Sequence, residues 1–231
     1  INLISQLKSE YSVLTQKTKK LQGQLKSLAL TKTDIKKQKK ILNNKKKEHQ
    51  RYLVSLKKDI KYIQKRNRQL EKASYALAEF IAKKASKSKV YYGTGRFIKP
   101  VKGWISSLFG WRRHPIFKKR IKHRGMDFAA PKGYKIKAAD SGIVIVSGMK
   151  KQYKGYGKVT VIDHGYDKKR KKRISSVYAH QSRILVKKGD FVKKGQLIGL
   201  VGSTGYSTGP HLHFEVRLNG IPVNPKKFLK I

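Results

Sequence analysis

Apolar residues recur at every seventh position through the first third of the chain, a region without proline. Leucine or isoleucine fills this position at Leu7, Leu14, Leu21, Leu28, Ile35, Leu42, Leu56, Ile63, Leu70 and Leu77, and His49 is the single exception. A seven-residue repeat sustained over this length is typical of a left-handed coiled coil. The pattern therefore predicts a helical arm over residues 1–84, with no chemistry of its own.

The companion positions of the repeat are more polar and leave the arrangement of the arm open. Lysine fills three of them in succession, at Lys32, Lys39 and Lys46, and the two asparagines of "ILNNKKKEH" are compatible with a turn. The arm is predicted to be either one long coiled-coil helix that pairs with another chain or a helical hairpin. Because lysines that face their own copies in a parallel dimer repel, we expect a monomer or a weak oligomer.

The periodicity changes from seven to two after a polar segment rich in lysine, serine and glycine, which we interpret as a linker over residues 85–100. Stretches such as "GKVTVIDHG", "ISSVYAHQS" and "LHFEVRLNG" alternate between apolar and polar residues and are separated by glycine, aspartate and proline. They predict an antiparallel all-β domain over residues 101–231. The fold class is therefore α+β, with the helical and β parts segregated along the chain.

The charge of the chain suggests an acidic partner. Its 231 residues include 57 lysines and arginines against 12 acidic residues, for a net charge of +45. Such a surplus attracts nucleic acid, anionic lipid or acidic cell-wall polymers. The lysines are spread over the whole chain, however, and no nucleic-acid-binding motif accompanies them. Cysteine is absent from the sequence, which excludes disulfides and thiolate metal ligands.

Two short histidine motifs carry the candidate chemistry. In "HLHFEV" the two-residue period of a strand places His211, His213 and Glu215 on one face and turns the intervening apolar residues toward the core. In "HRGMD" His123 precedes Asp127 by four residues, with a glycine between them. Imidazole and carboxylate are both ligands that suit zinc. The motifs thus offer a His, Asp, His set with coordination positions left open, as in a catalytic zinc site.

The order "HRGMD", "YAH", "GPHLHFEV" resembles the LytM/lysostaphin-type zinc endopeptidases of peptidoglycan, peptidase family M23, and the likeness extends over roughly residues 97–231. This resemblance implies a LytM-like β domain in which His123, Asp127 and His213 bind Zn²⁺. It further implies that His180 and His211 handle the attacking water and the oxyanion. Imidazoles suit both tasks, because they titrate near neutral pH.

The resemblance implies a peptidoglycan hydrolase that cleaves peptide stems or cross-links of the bacterial cell wall. Such an enzyme is expected to be exported and to act in the periplasm or the extracellular cell envelope. Its partners would be peptidoglycan and, through the coiled coil, a membrane-bound divisome or regulatory protein. Removal of the residues before about Ser86 is expected to leave a folded, zinc-bound domain.

Three alternatives compete with this interpretation. A coiled coil followed by a LytM-like domain also resembles the EnvC-type non-catalytic activators of cell-wall amidases in cell division. The hairpin-like stretch "VKKGDFVKKGQLIGLV" resembles biotinyl- or lipoyl-carrier domains, which give no reason for the histidine motifs. A charge-driven nucleic-acid binder is the third. Of the remaining histidines, His164 and His114 are interpreted as structural, and His49 has no predicted partner.

Overall fold

The computed structural model describes residues 2–84, 90–113 and 120–229. Over these residues the chain forms one α-helix, thirteen β-strands and two 3₁₀ helices, the latter at Lys151–Tyr156 and Pro225–Lys227. The helix is α1 (Asn2–Lys84). The strands are β1 (Trp104–Ser107), β2 (Gly110–Arg113), β3 (Arg120–His123), β4 (Met126–Ala129), β5 (Lys135–Lys137), β6 (Gly142–Gly148), β7 (Lys158–Asp167), β8 (Lys172–Gln181), β9 (Arg183–Ile184), β10 (Phe191–Val192), β11 (Leu197–Leu200), β12 (His211–Leu218) and β13 (Ile221–Val223).

The segregated α+β fold class is confirmed, and the helical part is a single helix. The asparagine pair of "ILNNKKKEH" lies inside α1, so the hairpin alternative is not adopted. Residues 3–55 of α1 are exposed throughout, including heptad leucines such as Leu42 at 66%. Pairing of these leucines in a coiled coil therefore stays a prediction. Among the described residues, no helix combines the length and apolar character needed to cross a membrane.

The chain divides into two compact units, Ile1–Lys61 and Tyr62–Ile231, so the last turns of α1 belong with the β-strands. In these turns one face of the helix is buried, as Ala73, Leu77 and Ile81 show. They share a core with residues of β7 and β8, including Val161 and Val177. Removal of the chain up to about Ser86 would expose this core. That such a truncation leaves a folded domain stays a prediction, and we expect its stability to be lower.

The β part is built on an eight-stranded antiparallel sheet. Its order is β1-β4-β12-β8-β7-β6-β10, and β13 pairs with the C-terminal part of β12, beyond the residues that pair with β4. The strands β5, β11 and β9 form a second sheet, and β2 pairs with β3. Residues 90–100 were predicted as linker, but Phe97 is fully buried in the main core. Residues 85–89 of that segment lie outside the described part of the chain.

The alternation along β12 determines which side chains face which core. Leu212, Phe214 and Val216 are fully buried in the main core on one side of the sheet, as predicted for the first two. The residues between them point to the opposite side, which also receives the buried residues of α1. Because successive side chains of a strand point in opposite directions, β12 presents His213 and then Glu215 to that second side.

Candidate metal centre

Two neighbouring strands and the end of a third bring the predicted ligands together. Asp127 of β4 pairs directly with His213 of β12, and His123 is the last residue of β3. Asp127 Oδ1 lies 2.7 Å from His213 Nδ1 and 3.1 Å from His123 Nε2, and the two nitrogens are 3.1 Å apart. One ligand atom from each residue thus lies within 4.8 Å of the others. Three donors of the types that zinc prefers therefore point at a common position.

The glycine of "HRGMD" allows this convergence. A Cβ atom at Gly125 would lie 2.4 Å from the carbonyl oxygen of Phe214 and 2.8 Å from the His213 ring. Any larger residue would push the chain between His123 and Asp127 away from β12. Glycine is required at this position because the two backbones approach each other closely.

Each imidazole of the cluster also donates a hydrogen bond through the nitrogen on its far side. His123 Nδ1 donates to the carbonyl oxygen of Leu108 at 2.7 Å, and His213 Nε2 donates to Glu215 Oε1 at 3.0 Å. With these nitrogens protonated, Nε2 of His123 and Nδ1 of His213 face Asp127. Each can carry a proton bonded to the carboxylate or, once deprotonated, bind a metal ion. Metal-binding histidines are usually oriented in this way. The donor set and its supports therefore fit a divalent metal such as zinc.

The electrostatics of the cluster favour a positive charge at its centre. Burial tends to raise the pKa of Asp127, but hydrogen bonds from His123 and His213 outweigh it and hold this pKa far below its usual range. Burial tends to lower the pKa of His213, but its hydrogen bonds to Asp127 and Glu215 raise it to about 9. Burial likewise opposes ionisation of Glu215, yet the charge of Arg217 lowers its pKa to about 2. Two ionised carboxylates thus attract a proton or a metal ion to this position.

His180 and His211 lie beside the cluster with their rings together. Their ring centroids are 4.8 Å apart, and His211 Nε2 is 3.9 Å from Asp127 Oδ1. Nδ1 of His180 donates to the Thr204 carbonyl at 2.7 Å, and Nδ1 of His211 donates to the Gly209 carbonyl at 2.8 Å. These bonds leave the Nε2 lone pair of each ring available. Burial and the neighbouring histidines lower the pKa of His180 to about 3, which keeps its imidazole neutral.

The cluster opens into a cleft of about 500 Å³. The wall formed by β2, β3 and the residue after β3 is basic, with Arg112, Arg120, Lys122 and Arg124 among its residues. Exposed Trp111 stands in the same wall, under the guanidinium of Arg120 at 5.4 Å. A cleft with a cationic wall and five convergent polar side chains suits an extended, partly anionic ligand.

The last turns of α1 form another wall of this cleft. Asn67, Leu70 and Glu71 line it, and Glu71 lies 3.6 Å from Arg124. The guanidinium of Arg66 sits 4.6 Å above the ring of Tyr206, which lies on the loop before β12. The arm was predicted to have no chemistry, but its C-terminal turns border the site.

The structure brings all five predicted site residues together, and His164 has other partners. His164 is fully buried on β7 and hydrogen bonds to the Ser141 carbonyl and to Ser176 Oγ, both at 2.8 Å. His49 lies on the exposed part of α1, and His114 lies outside the described residues. Sequence reasoning missed Arg217, although the alternation of "HLHFEVR" places it on the face of His213.

Comparison with known proteins agrees with this geometry. A sequence profile of peptidase family M23 matches residues 121–225. The chain is 45% identical over 121 residues to the DD-carboxypeptidase/endopeptidase Mpg of Neisseria meningitidis, covering 52% of this chain and 26% of that protein. It is 44% identical over 124 residues to the peptidoglycan DD-endopeptidase ShyA of Vibrio cholerae, covering 53% and 27%. The chain thus spans about a quarter of the length of these curated relatives.

A solved structure supports the same assignment. A crystal structure of a Pseudomonas aeruginosa protein ascribed to peptidase M23 superposes with a TM-score of 0.53 at 36% identity, over 70% of this chain and 62% of that one. The profile match over residues 121–225 includes His123, Asp127 and His213. The β-sheet part of this chain belongs to peptidase family M23.

Proposed function

We propose that this protein is a zinc-dependent endopeptidase that cleaves the peptide stems or cross-links of peptidoglycan. The convergence of the ligand atoms of His123, Asp127 and His213 beside His180 and His211 carries the proposal. The names of the relatives from Neisseria and Vibrio, which describe DD-endopeptidases, support the choice of substrate. A non-catalytic activator gives no reason for these five residues to meet at an open cleft.

The metal would be held by His123 Nε2, Asp127 Oδ1 and His213 Nδ1. Bound zinc polarises a carbonyl and lowers the pKa of a coordinated water toward about 7. The remaining work falls to His180 and His211, whose Nε2 lone pairs can accept the proton of the attacking water. The protonated imidazole can then donate a hydrogen bond to the developing oxyanion or pass its proton to the leaving amine. The hydrogen bonds that both rings donate to the carbonyls of Thr204 and Gly209 hold them in the tautomer that this requires.

The cationic wall of the cleft supports a substrate that carries carboxylates. Arg112, Arg120 and Lys122 line it beside the metal ligands, and peptide stems of the cell wall carry free carboxylate groups. The net charge of +45 would in addition hold the protein on an acidic wall.

We place the protein in the periplasm or the extracellular envelope. We further propose that the exposed part of α1 binds a membrane-bound divisome or regulatory protein.

Zinc content and peptidoglycan turnover test this function together. The parent protein should contain one zinc per chain, and the Asp127→Ala variant should lose it, as measured by elemental analysis. The His180→Ala and His211→Ala variants should keep zinc and lose turnover by roughly 10²–10⁴-fold. His49→Ala, on the exposed part of α1, is the control that should change neither. Products of purified peptidoglycan are identified by mass spectrometry.

Two results would contradict the proposal. Stoichiometric zinc in Asp127→Ala would remove that carboxylate from the ligand set. Cleavage at the parental rate by His180→Ala and by His211→Ala would show that neither imidazole takes part in proton transfer.

A further inference from the structure

Arg217 is a fully buried cation near the end of β12, on the same face of the strand as His213 and Glu215. Its guanidinium has five N–H groups, and each meets an acceptor. Nε donates to Glu215 Oε2 at 2.6 Å, and one terminal nitrogen donates to the carbonyl oxygens of Ser74 and Gly220 at 3.2 Å each. The other donates to Ser74 Oγ at 3.2 Å and to Tyr156 Oη at 2.9 Å.

Glu215 connects Arg217 to the candidate metal ligand His213 through hydrogen bonds. While Oε2 receives Arg217, Oε1 accepts from the hydroxyl of Tyr156 at 2.8 Å and from Nε2 of His213 at 3.0 Å. A carboxylate held by three donors has little freedom to rotate. It therefore fixes the plane of the His213 ring and the nitrogen that carries its proton.

Helix α1 completes the shell around Arg217. Ser74 supplies two of the five acceptors, although it lies 143 residues away in sequence. Ala73, Leu77 and Ile81 anchor this part of the helix in the second core, so Ser74 is presented at a defined position. A buried charge that loses acceptors is strongly disfavoured. Without Ser74 the guanidinium would turn toward water and loosen its bond to Glu215.

We propose that Arg217, supported by Ser74 of α1 and by Tyr156, is a positioning residue for the metal centre. It holds Glu215 against Nε2 of His213 and thereby keeps Nδ1 of His213 directed at the metal. The last turns of α1 are then part of the metal site. The inference rests on the proposed function, because it takes His213 to be a zinc ligand.

Zinc affinity measured on the full chain tests this role. Glu215→Gln combined with Arg217→Met removes both charges at similar volume, so no unpaired ion is left buried. Its Kd for Zn²⁺, measured by competition with a chelator, should rise about 10–100-fold, while the unfolding temperature of the metal-free protein changes little. Ser74→Ala keeps both charged residues, removes one of the five acceptors and should raise the Kd about 2–10-fold, the factor that corresponds to one lost hydrogen bond. Alanine favours helix more than serine does, so this variant should fold.

The matched control is another buried carboxylate–guanidinium pair, Asp163 and Arg173, whose atoms are 2.9 Å apart. Asp163→Asn with Arg173→Met should leave the Kd for Zn²⁺ at the parental value. A folded Glu215→Gln/Arg217→Met variant with the parental Kd would overturn the inference, as would an equal rise in the control. If Glu215→Gln/Arg217→Met does not fold, a parental Kd for Zn²⁺ in Ser74→Ala would overturn the inference. Absence of zinc binding by the parent would instead overturn the proposed function itself.

Discussion

Substitution of Leu77 by alanine tests whether the last turns of α1 belong to the core of the β-sheet unit. Leu77 is fully buried, and its core contains Tyr153, Val161 and Val177. A leucine-to-alanine change at a fully buried site costs about 3 kcal/mol, within a range of roughly 2–5, since the neighbours only partly fill the cavity. For the unit Tyr62–Ile231, we expect the unfolding temperature to fall by about 6–12 °C, at about 2–4 °C per kcal/mol.

Leu42→Ala is the matched control on the same helix. Leu42 occupies the same heptad position as Leu77 but is 66% exposed, so its replacement should change the stability by less than about 0.5 kcal/mol. Calorimetric unfolding of both variants and the parent, at equal protein concentration and with the metal removed, gives the comparison. Equal shifts for the two variants would refute the reasoning, because burial of Leu77 by the sheet would then contribute nothing measurable.

Two further predictions concern other parts of the same unit. A chain that begins at Tyr62 should fold and bind zinc, whereas one that begins at residue 86 should lose native stability, as measured by thermal unfolding; equal stability of the two would contradict the role given to α1. Burial lowers the pKa of His164, so its contribution to stability is complete above the unfolded pKa of about 6.5 and is lost as the pH falls below it. His164→Gln should therefore show a smaller loss of urea resistance between pH 7 and pH 5 than the parent, and an unchanged loss would exclude this origin.

The secondary structure and four of the five candidate residues of the site could be predicted from local patterns, whereas His180 came from the resemblance to a known family. The heptad repeat indicates a helix because side chains seven residues apart lie on one face of it, and α1 extends over the predicted arm. The alternation in "HLHFEV" places Leu212 and Phe214 in the core and His213 on the other face, as observed. The roles of the histidines came from the resemblance to a known family.

The supports of the site could not be predicted in the same way. The carbonyl of Leu108 that holds His123, the carbonyl of Thr204 that holds His180 and the helix residue Ser74 beside Arg217 are all distant in sequence from the groups they contact. Backbone carbonyls carry no residue-specific signal. Such contacts exist only after the strands have paired and the helix has packed against them.

Leu42 and Leu77 separate the effect of local sequence periodicity from the effect of tertiary packing. Both occupy the same position of one heptad repeat, and both lie in the same helix. Periodicity determines that each points along the apolar stripe of α1, since that depends only on the spacing of neighbouring residues. Whether the stripe meets water or a sheet depends on which surface lies against it. Leu77 is fully buried because β7 and β8 supply that surface at the C-terminal end of the helix, whereas Leu42 is exposed.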